Sequence, residues 1–260
     1  MASRSGRVLL GALGIAVALG GVELAGRTGL TDPRLLPLPS QVLASARGLA
    51  VSAKFLTDAA VTVTTWAGGL LITLVIAIPA GAVLGSLPRA EAVARPVIEF
   101  LRPVPAVALF PLILLLVQND LRMKVTIVVY ASVWPVLINT IYGLREVDPL
   151  AKETLRSFGF GPLSVLRRVS LPSAAPFIVT GARLAASIAF IVTIGVELLS
   201  GGVNGVGVFL IQAESGGSHT DVMLAVVAWA GAFGLAVNAL LVYAEHRLFR
   251  WHHERAGTLA

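Results

Sequence analysis

The 260-residue chain contains no cysteine, and only 13% of its residues are charged and 7% aromatic. The lack of cysteine excludes disulfides, thiolate metal sites and cysteine nucleophiles. The scarcity of charge excludes an ordinary soluble domain, in which about a quarter of the residues are charged. The sequence also lacks a glycine-rich phosphate loop ending in Lys-Ser or Lys-Thr, so we do not expect the chain itself to bind ATP.

Hydrophobic residues, by contrast, make up 56% of the chain, and the mean hydropathy is +0.86. Apolar runs recur that are long enough to cross a bilayer, which takes about 20 residues. The first run follows Arg4 and Arg7 as in a signal peptide, but no small-x-small cleavage site follows it, so we expect it to be retained. The sequence therefore predicts an all-α, polytopic membrane helix bundle. Its six transmembrane helices are predicted at about 8–25, 57–84, 97–117, 123–143, 173–199 and 222–246.

The predicted organisation has three parts: a first transmembrane helix with an outer interfacial segment (1–56), a transmembrane core (57–250) and a cytoplasmic tail (251–260). In the interfacial segment, Ser40 is predicted to cap the N-terminus of a helix lying at the outer membrane surface, the alternative being an ordinary loop. In the core, the sequence Arg102-Pro-Val-Pro105 is predicted to kink or break the third span.

The net charge of +6 comes from basic residues at the ends of apolar runs, which favours membrane topology over nucleic-acid binding. Cytoplasmic loops of membrane proteins carry an excess of Lys and Arg. That excess predicts that both termini are cytoplasmic. The basic residues then assigned to the cytoplasmic side are Arg4, Arg7, Arg89, Arg95, Arg102, Arg145, Lys152, Arg156, Arg167, Arg168, Arg247, Arg250 and Arg255.

A short charged, amphipathic segment lies between the fourth and fifth predicted spans. Asp148-Pro149 is typical of a helix start and Gly159 of a helix end. A second short helix is predicted from Pro162, and Leu171-Pro172 is predicted to open the fifth span. Such short helices cannot bury an apolar side by themselves and need lipid or a protein groove. The residues predicted to share that side of the first helix are Leu150, Thr154, Leu155 and Phe158.

The spacing of Glu153, Gly159 and Val169-x-Leu171-Pro172 resembles the EAA loop of binding-protein-dependent ABC importer permeases. Within that family it is similar to the branch for alkanesulfonate, taurine, nitrate or pyrimidine-precursor uptake. Two departures are clear: Thr154-Leu155 stands where the family has Ala-Ala, and 116–120 replaces an aromatic-Phe-Gly pattern. Other segments that carry the resemblance are 36–42, 95–105, 139–140 with 143–145, and 245–251.

The resemblance implies the fold of a type I ABC importer transmembrane domain, in which the helix of about 149–159 is a coupling helix seated in a separate ATPase subunit. ATP and Mg would be bound by that partner, this chain would bind no cofactor, and it would not be an enzyme. It further implies two copies of the chain, two ATPase subunits, a bacterial inner (plasma) membrane, and an extracytoplasmic binding protein received at 201–207 and 216–221. The implied coupling residues are Leu150, Glu153, Thr154, Leu155, Phe158, Gly159, Leu171 and Pro172.

Four polar residues in or near spans are candidates for the solute pathway or outer gate. Thr62 and Thr65 offer hydroxyls, although threonine often hydrogen-bonds its own helix. Arg102 could attract an anion or snorkel to the interface, and Glu197 could gate the path or cap the glycine-rich turn. The four histidines are dispersed and predict no metal site. An ATP-independent secondary carrier or channel is the alternative function, and the solute stays open because the binding protein selects it.

Overall fold

The computed structural model describes residues 4–32, 35–215 and 220–248, and the regular elements in these ranges are helices. The predicted all-α class is therefore confirmed. The elements are α1 (Arg4–Arg27), α2 (Pro39–Val51), α3 (Ala53–Ser86), α4 (Pro88–Leu101), a 3-10 helix (Ala106–Leu109), α5 (Phe110–Leu116), α6 (Asp120–Arg145), α7 (Pro149–Ser157), α8 (Pro162–Val165), a π-helical turn (Leu166–Ser170), α9 (Leu171–Ser200), α10 (Val206–Ser215) and α11 (Thr220–Leu248).

Five stretches of helix among the described residues are long and apolar enough to cross a membrane. They correspond to predicted spans one, two, four, five and six. The fifth begins earlier than predicted, because α8 runs through the π-helical turn into α9 without a break. The five stretches are Leu9–Arg27, Ala53–Ser86, Asp120–Arg145, Pro162–Ser200 and Thr220–Tyr243.

The third predicted span is a broken helix, with α4 and the stretch Ala106–Leu116 bent by 82°. The break follows Arg102, where two prolines interrupt the helix as predicted. The two pieces nevertheless follow α6 from end to end: Glu91 pairs with Arg145 at one end of α6, and Val117 packs against the cluster of Met123 at the other. α6 has 26 residues, about 39 Å of helix. We count the bent pair as the third span, which together with the five stretches above makes six.

The chain divides into two compact units, and the larger described one comprises residues 62–202 and 234–248. Its centre is the contact between α6 and α9, where the backbones approach closely. A Cβ added at Gly181 would lie 2.9 Å from the carbonyl oxygen of Pro135 and 3.1 Å from the Cα of Val136. Small residues at helix contacts permit such packing within a membrane. Buried apolar residues beside this contact include Ala77, Val136, Leu137, Ile141 and Ala185.

The smaller unit comprises the described residues of 4–61 and 203–233. In it α2 is a helix, as predicted, but Ser40 is not its cap. The cap is Leu38, two residues earlier, and the helix begins at Pro39, because proline lacks the N–H that would be unsatisfied in the first turn. Ser40 instead donates its backbone N–H and its hydroxyl to the carboxylate of Glu23, at 3.0 and 2.9 Å.

The helix α2 is further held by side chains of α11 within the smaller unit. Trp229 donates its indole N–H to the carbonyl oxygen of Ala46 at 3.0 Å, and Ser45 donates its hydroxyl to the carboxylate of Asp221. The predicted tail 251–260 and residues 216–219 of the predicted outer segment lie outside the described residues, as do 249–251 of the C-terminal family-like segment. The three-part organisation remains a prediction.

Candidate functional site

The helix α7 is defined at both ends by short-range hydrogen bonds. Its N-cap Asp148 accepts the backbone N–H of Leu150 at 2.8 Å, and Pro149 occupies the first turn. At the other end Gly159 has a φ of +78°, a conformation in which a side chain is strained. The N–H groups of Gly159 and Phe160 return to the carbonyls of Arg156 and Leu155, at 2.9 and 3.1 Å. This is the Schellman pattern of a helix end, and it limits α7 to nine residues.

One side of α7 carries apolar side chains that no described residue covers. Leu150 is 68% exposed and Phe158 is 76% exposed, and Thr154 is exposed between them. Glu153, which precedes Thr154 on the helix and borders this apolar side, is also exposed. Leu155, which the sequence places on the same side, is half-buried rather than exposed. We call Leu150, Glu153, Thr154 and Phe158 the outward face of α7.

The hairpin of α7 and α8 is fixed to the membrane helices behind it. Lys152 donates to the carbonyl oxygen of Leu144, in the last turn of α6, at 3.0 Å. Leu171 packs against the buried cluster that includes Leu144, and its N–H reaches the carbonyl of Leu166 through the π-helical turn. Pro172 follows in the first turn of α9 and is exposed. A force on the outward face would therefore reach both α6 and α9.

A cleft of ≈ 650 Å³ lies at the base of this hairpin. Its three charged lining residues are Arg145, Lys152 and Arg156. Sequence reasoning did not single out this group, although a signal existed: Lys152 and Arg156 are four residues apart on one helix and so share a side. The remaining lining residues are Ala82, Val83, Gly85, Ser86, Leu87, Pro88, Leu144, Pro162, Leu163, Val165, Leu166 and Ser170. We call this the basal cleft.

Two of the four pathway candidates contact each other. Thr62 is 1% exposed and Glu197 is fully buried, and the Thr62 hydroxyl lies 2.9 and 2.8 Å from the two carboxylate oxygens. Thr65, one turn further along α3, is fully buried, and its hydroxyl has no hydrogen-bond partner among the described residues. The side chain of Glu197 is therefore buried against α3. The pathway role of these residues remains a prediction.

Arg102 is not part of that group. It is exposed at the end of α4 and lines a separate cleft of ≈ 290 Å³ with Tyr142, Arg95 and Arg145. Glu91 and Glu99 also line this cleft, and Glu91 pairs with both Arg95 and Arg145. Among the described residues, no group of three His, Cys, Asp or Glu side chains could hold a metal ion.

The segment from residue 69 to residue 250 matches the family of binding-protein-dependent transport system inner membrane components. The match covers more than half of the chain and includes the hairpin, its basal cleft and Glu197. The chain belongs to this family. The predicted resemblance is thereby confirmed from a comparison that covers most of the membrane core.

Among individual relatives, the bicarbonate transport system permease protein CmpB of Synechococcus elongatus is 29% identical over 71% of this chain and 66% of its own length. The nitrate import permease protein NrtB of Leptolyngbya laminosa is 28% identical over 69% of this chain and 64% of its own. The chain thus spans just under two thirds of the length of these curated relatives.

The fold is similar to that of a solved transporter. A structure of the MetNI methionine ABC transporter in an inward-facing conformation matches with a TM-score of 0.65 and 18% identity, covering 76% of this chain and 95% of that one. At this identity the match concerns the fold alone. It confirms the predicted type I importer transmembrane fold.

Proposed function

We propose that this chain is the translocating permease subunit of an ATP-driven importer and that the outward face of α7 docks into a separate ATPase subunit. In this function the permease supplies the path and the ATPase supplies the energy. ATP and Mg are bound by the ATPase, and two copies of this chain form the path with two ATPase subunits. A binding protein on the opposite side of the membrane delivers the solute.

The observation that carries this proposal is the exposed apolar outward face on a helix whose two ends are rigidly defined. Leu150 and Phe158 are both more than two thirds exposed. An exposed apolar patch rimmed by a charge such as Glu153 is typical of a protein interface. The rigid links from α7 to α6 and α9 support a lever that transmits motion to the spans, since packed elements move as bodies rather than deform continuously.

We further propose that the solute is a small inorganic anion. The relatives CmpB and NrtB carry bicarbonate and nitrate in their names, and both are singly charged oxyanions. The sequence alone also fits sulfonates, taurine and vitamin or pyrimidine precursors, so uptake of bicarbonate and nitrate is the first assay. The orientation proposed with this function places α7 and both termini in the cytoplasm, in accord with the distribution of Lys and Arg.

The test is co-purification of an ABC ATPase subunit co-expressed with this chain, together with solute uptake into proteoliposomes. We expect Phe158→Asp to abolish ATPase retention, because it replaces the most exposed apolar side chain of the outward face by a charge, and Glu153→Ala to weaken it. Glu146→Ala is the matched control, since Glu146 is also exposed but precedes α7. Uptake that persists at the wild-type rate without any ATPase would contradict the proposal and favour a secondary carrier.

A further inference from the structure

We propose that the basal cleft binds the phosphate headgroup of an anionic phospholipid, with the first part of an acyl chain along its apolar wall. The inference rests on the proposed function only for the placement of the hairpin at the cytoplasmic leaflet. The lipid site is a separate feature from the outward face of α7, because its residues lie on the opposite side of that helix.

The charged side chains that line the basal cleft are all positive. Its described lining residues include Arg145, Lys152 and Arg156 and include neither aspartate nor glutamate. Lys152 and Arg156 are four residues apart on α7, where like charges repel each other. An anion seated between them removes that repulsion.

The contacts that Lys152 and Arg145 already make leave hydrogen-bond donors for a ligand. Lys152 uses one hydrogen bond on the carbonyl of Leu144, and its ammonium group has three donors. Arg145 contacts Glu91 at 2.7 Å, a carboxylate that does not line the basal cleft, and a guanidinium group has five donors. Ser86 and Ser170 add hydroxyl groups to the lining. A phosphate group, which has several strong acceptor oxygens, suits such a donor set.

The apolar wall of the cleft favours a lipid over a free phosphate ion. The wall beside the cations is apolar and partly uncovered, with Val83 53%, Leu87 54% and Leu163 65% exposed. A free ion would leave these side chains unprotected, whereas an acyl chain covers them. Basic pockets between membrane helices at a cytoplasmic surface are a recurrent form of anionic-lipid site.

The location implies a consequence for coupling. The cleft is lined by both α7 and the ends of α3 and α6, so a bound lipid bridges the hairpin and the membrane helices. The lipid would hold the hairpin at a fixed distance from the ends of α3 and α6. Removal of the lipid is then expected to loosen α7 without unfolding the spans.

The test is native mass spectrometry of the full-length chain in detergent, with phosphatidylglycerol, phosphatidylcholine or inorganic phosphate added. We expect phosphatidylglycerol to be retained over phosphatidylcholine. The double variant Lys152→Gln/Arg156→Gln should bind phosphatidylglycerol about 25-fold more weakly, since each basic side chain near an anionic membrane surface contributes about fivefold. The charge-matched control is Arg167→Gln/Arg168→Gln, in the π-helical turn that follows α8 but outside the cleft lining, and it should bind like the wild type.

Three results would overturn the proposal: equal retention of the two lipids, wild-type binding by the Lys152/Arg156 variant, or inorganic phosphate that binds as tightly as phosphatidylglycerol. If the double variant does not fold, Arg156→Glu alone, compared with Arg168→Glu, decides between the same outcomes. The measurement contains no ATPase, so its failure leaves the coupling proposal standing, and failure of ATPase docking leaves the lipid site standing.

Discussion

The outward face of α7 and the buried contact between Thr62 and Glu197 differ in which side chains are exposed to solvent and which are enclosed. On α7 apolar side chains are left exposed, while between α3 and α9 a carboxylate is completely enclosed and accepts a hydroxyl hydrogen bond. An exposed apolar face gains stability only when a partner covers it. An enclosed carboxylate already has its partner within the chain and would lose stability if the contact opened. The first arrangement suits docking, and the second suits holding two spans together.

The two regions also differ in how far apart along the chain their contacting residues are. The ends of α7 are set by a capping side chain and a glycine, through hydrogen bonds between residues at most five positions apart. The Thr62 and Glu197 pair joins residues 135 positions apart. Substitutions in the two regions should therefore have separable effects, on partner retention in one case and on unfolding in the other.

The strongest expected effect is on the packing of the membrane helices. Gly181→Val should greatly lower the thermal unfolding midpoint in detergent, because the new side chain meets the Pro135 carbonyl and the α6 backbone. Overpacking of this kind costs about 1–3 kcal/mol or more. Gly195→Val on the same helix is the control, because a Cβ there meets nothing within 4 Å. Equal midpoints for the two variants would show that α6 and α9 are not in close contact.

The next effect concerns the buried hydrogen bond itself. Thr62→Val removes a donor from an enclosed carboxylate and should lower the unfolding free energy by about 1–3 kcal/mol. The matched control is Thr65→Val, which removes a buried hydroxyl that has no partner among the described residues and should be neutral or stabilising. Denaturant or thermal titration of both variants measures the difference. If Thr65→Val is the more harmful, the roles assigned to these two hydroxyls are reversed.

A third comparison lies within the hairpin. Gly159→Ala forces an alanine into a left-handed conformation, at a cost of about 1–2 kcal/mol, and should reduce ATPase retention while the global unfolding midpoint stays the same. Gly161→Ala should retain the ATPase normally, since Gly161 has a φ of −68° and open space at its Cβ. If both variants lost ATPase retention to a similar extent, the left-handed backbone conformation at Gly159 would not be what docking requires.

The smallest effect is expected at the start of α7. Asp148→Ala removes the cap on the Leu150 N–H and should cost about 1 kcal/mol, seen as faster hydrogen exchange of the backbone amides at 150–152. Asp148→Asn keeps an acceptor and should exchange like the wild type. If the amide exchange rates of Asp148→Ala match those of the wild type, α7 is stabilised by its contacts with the membrane helices and not by the cap.

The hairpin could be predicted from the sequence because its signals are local. Asp148-Pro149 and Gly159 mark the ends of α7 within one or two residues of where the structure has them. The break in the third span was predicted for the same reason, from the prolines that follow Arg102. The start of α2 shows the limit of such local signals. Ser40 has a side chain suited to an N-cap, but the fixed φ of the preceding Pro39 suits the first helical position, and the helix begins there.

The remaining features depend on contacts that a single sequence does not contain. The pairing of Thr62 with Glu197 depends on the rotation of two spans, and in a uniformly apolar helix the hydrophobic pattern does not specify that rotation. The basal cleft depends on where α7 lies against the ends of α3 and α6. The half-burial of Leu155 has the same origin, because the helical period alone does not specify how much of a side chain the neighbouring elements cover.

The central claim, that the outward face of α7 is the surface on which the ATPase acts, has a direct test, because the chain contains no cysteine. Thr154→Cys, in the centre of that face, is labelled with a membrane-impermeant maleimide in inside-out vesicles, with and without the ATPase, beside Glu146→Cys as control. We predict that the ATPase protects Cys at 154 and leaves the control fully labelled. Equal labelling of the 154 variant with and without a bound ATPase would contradict the account.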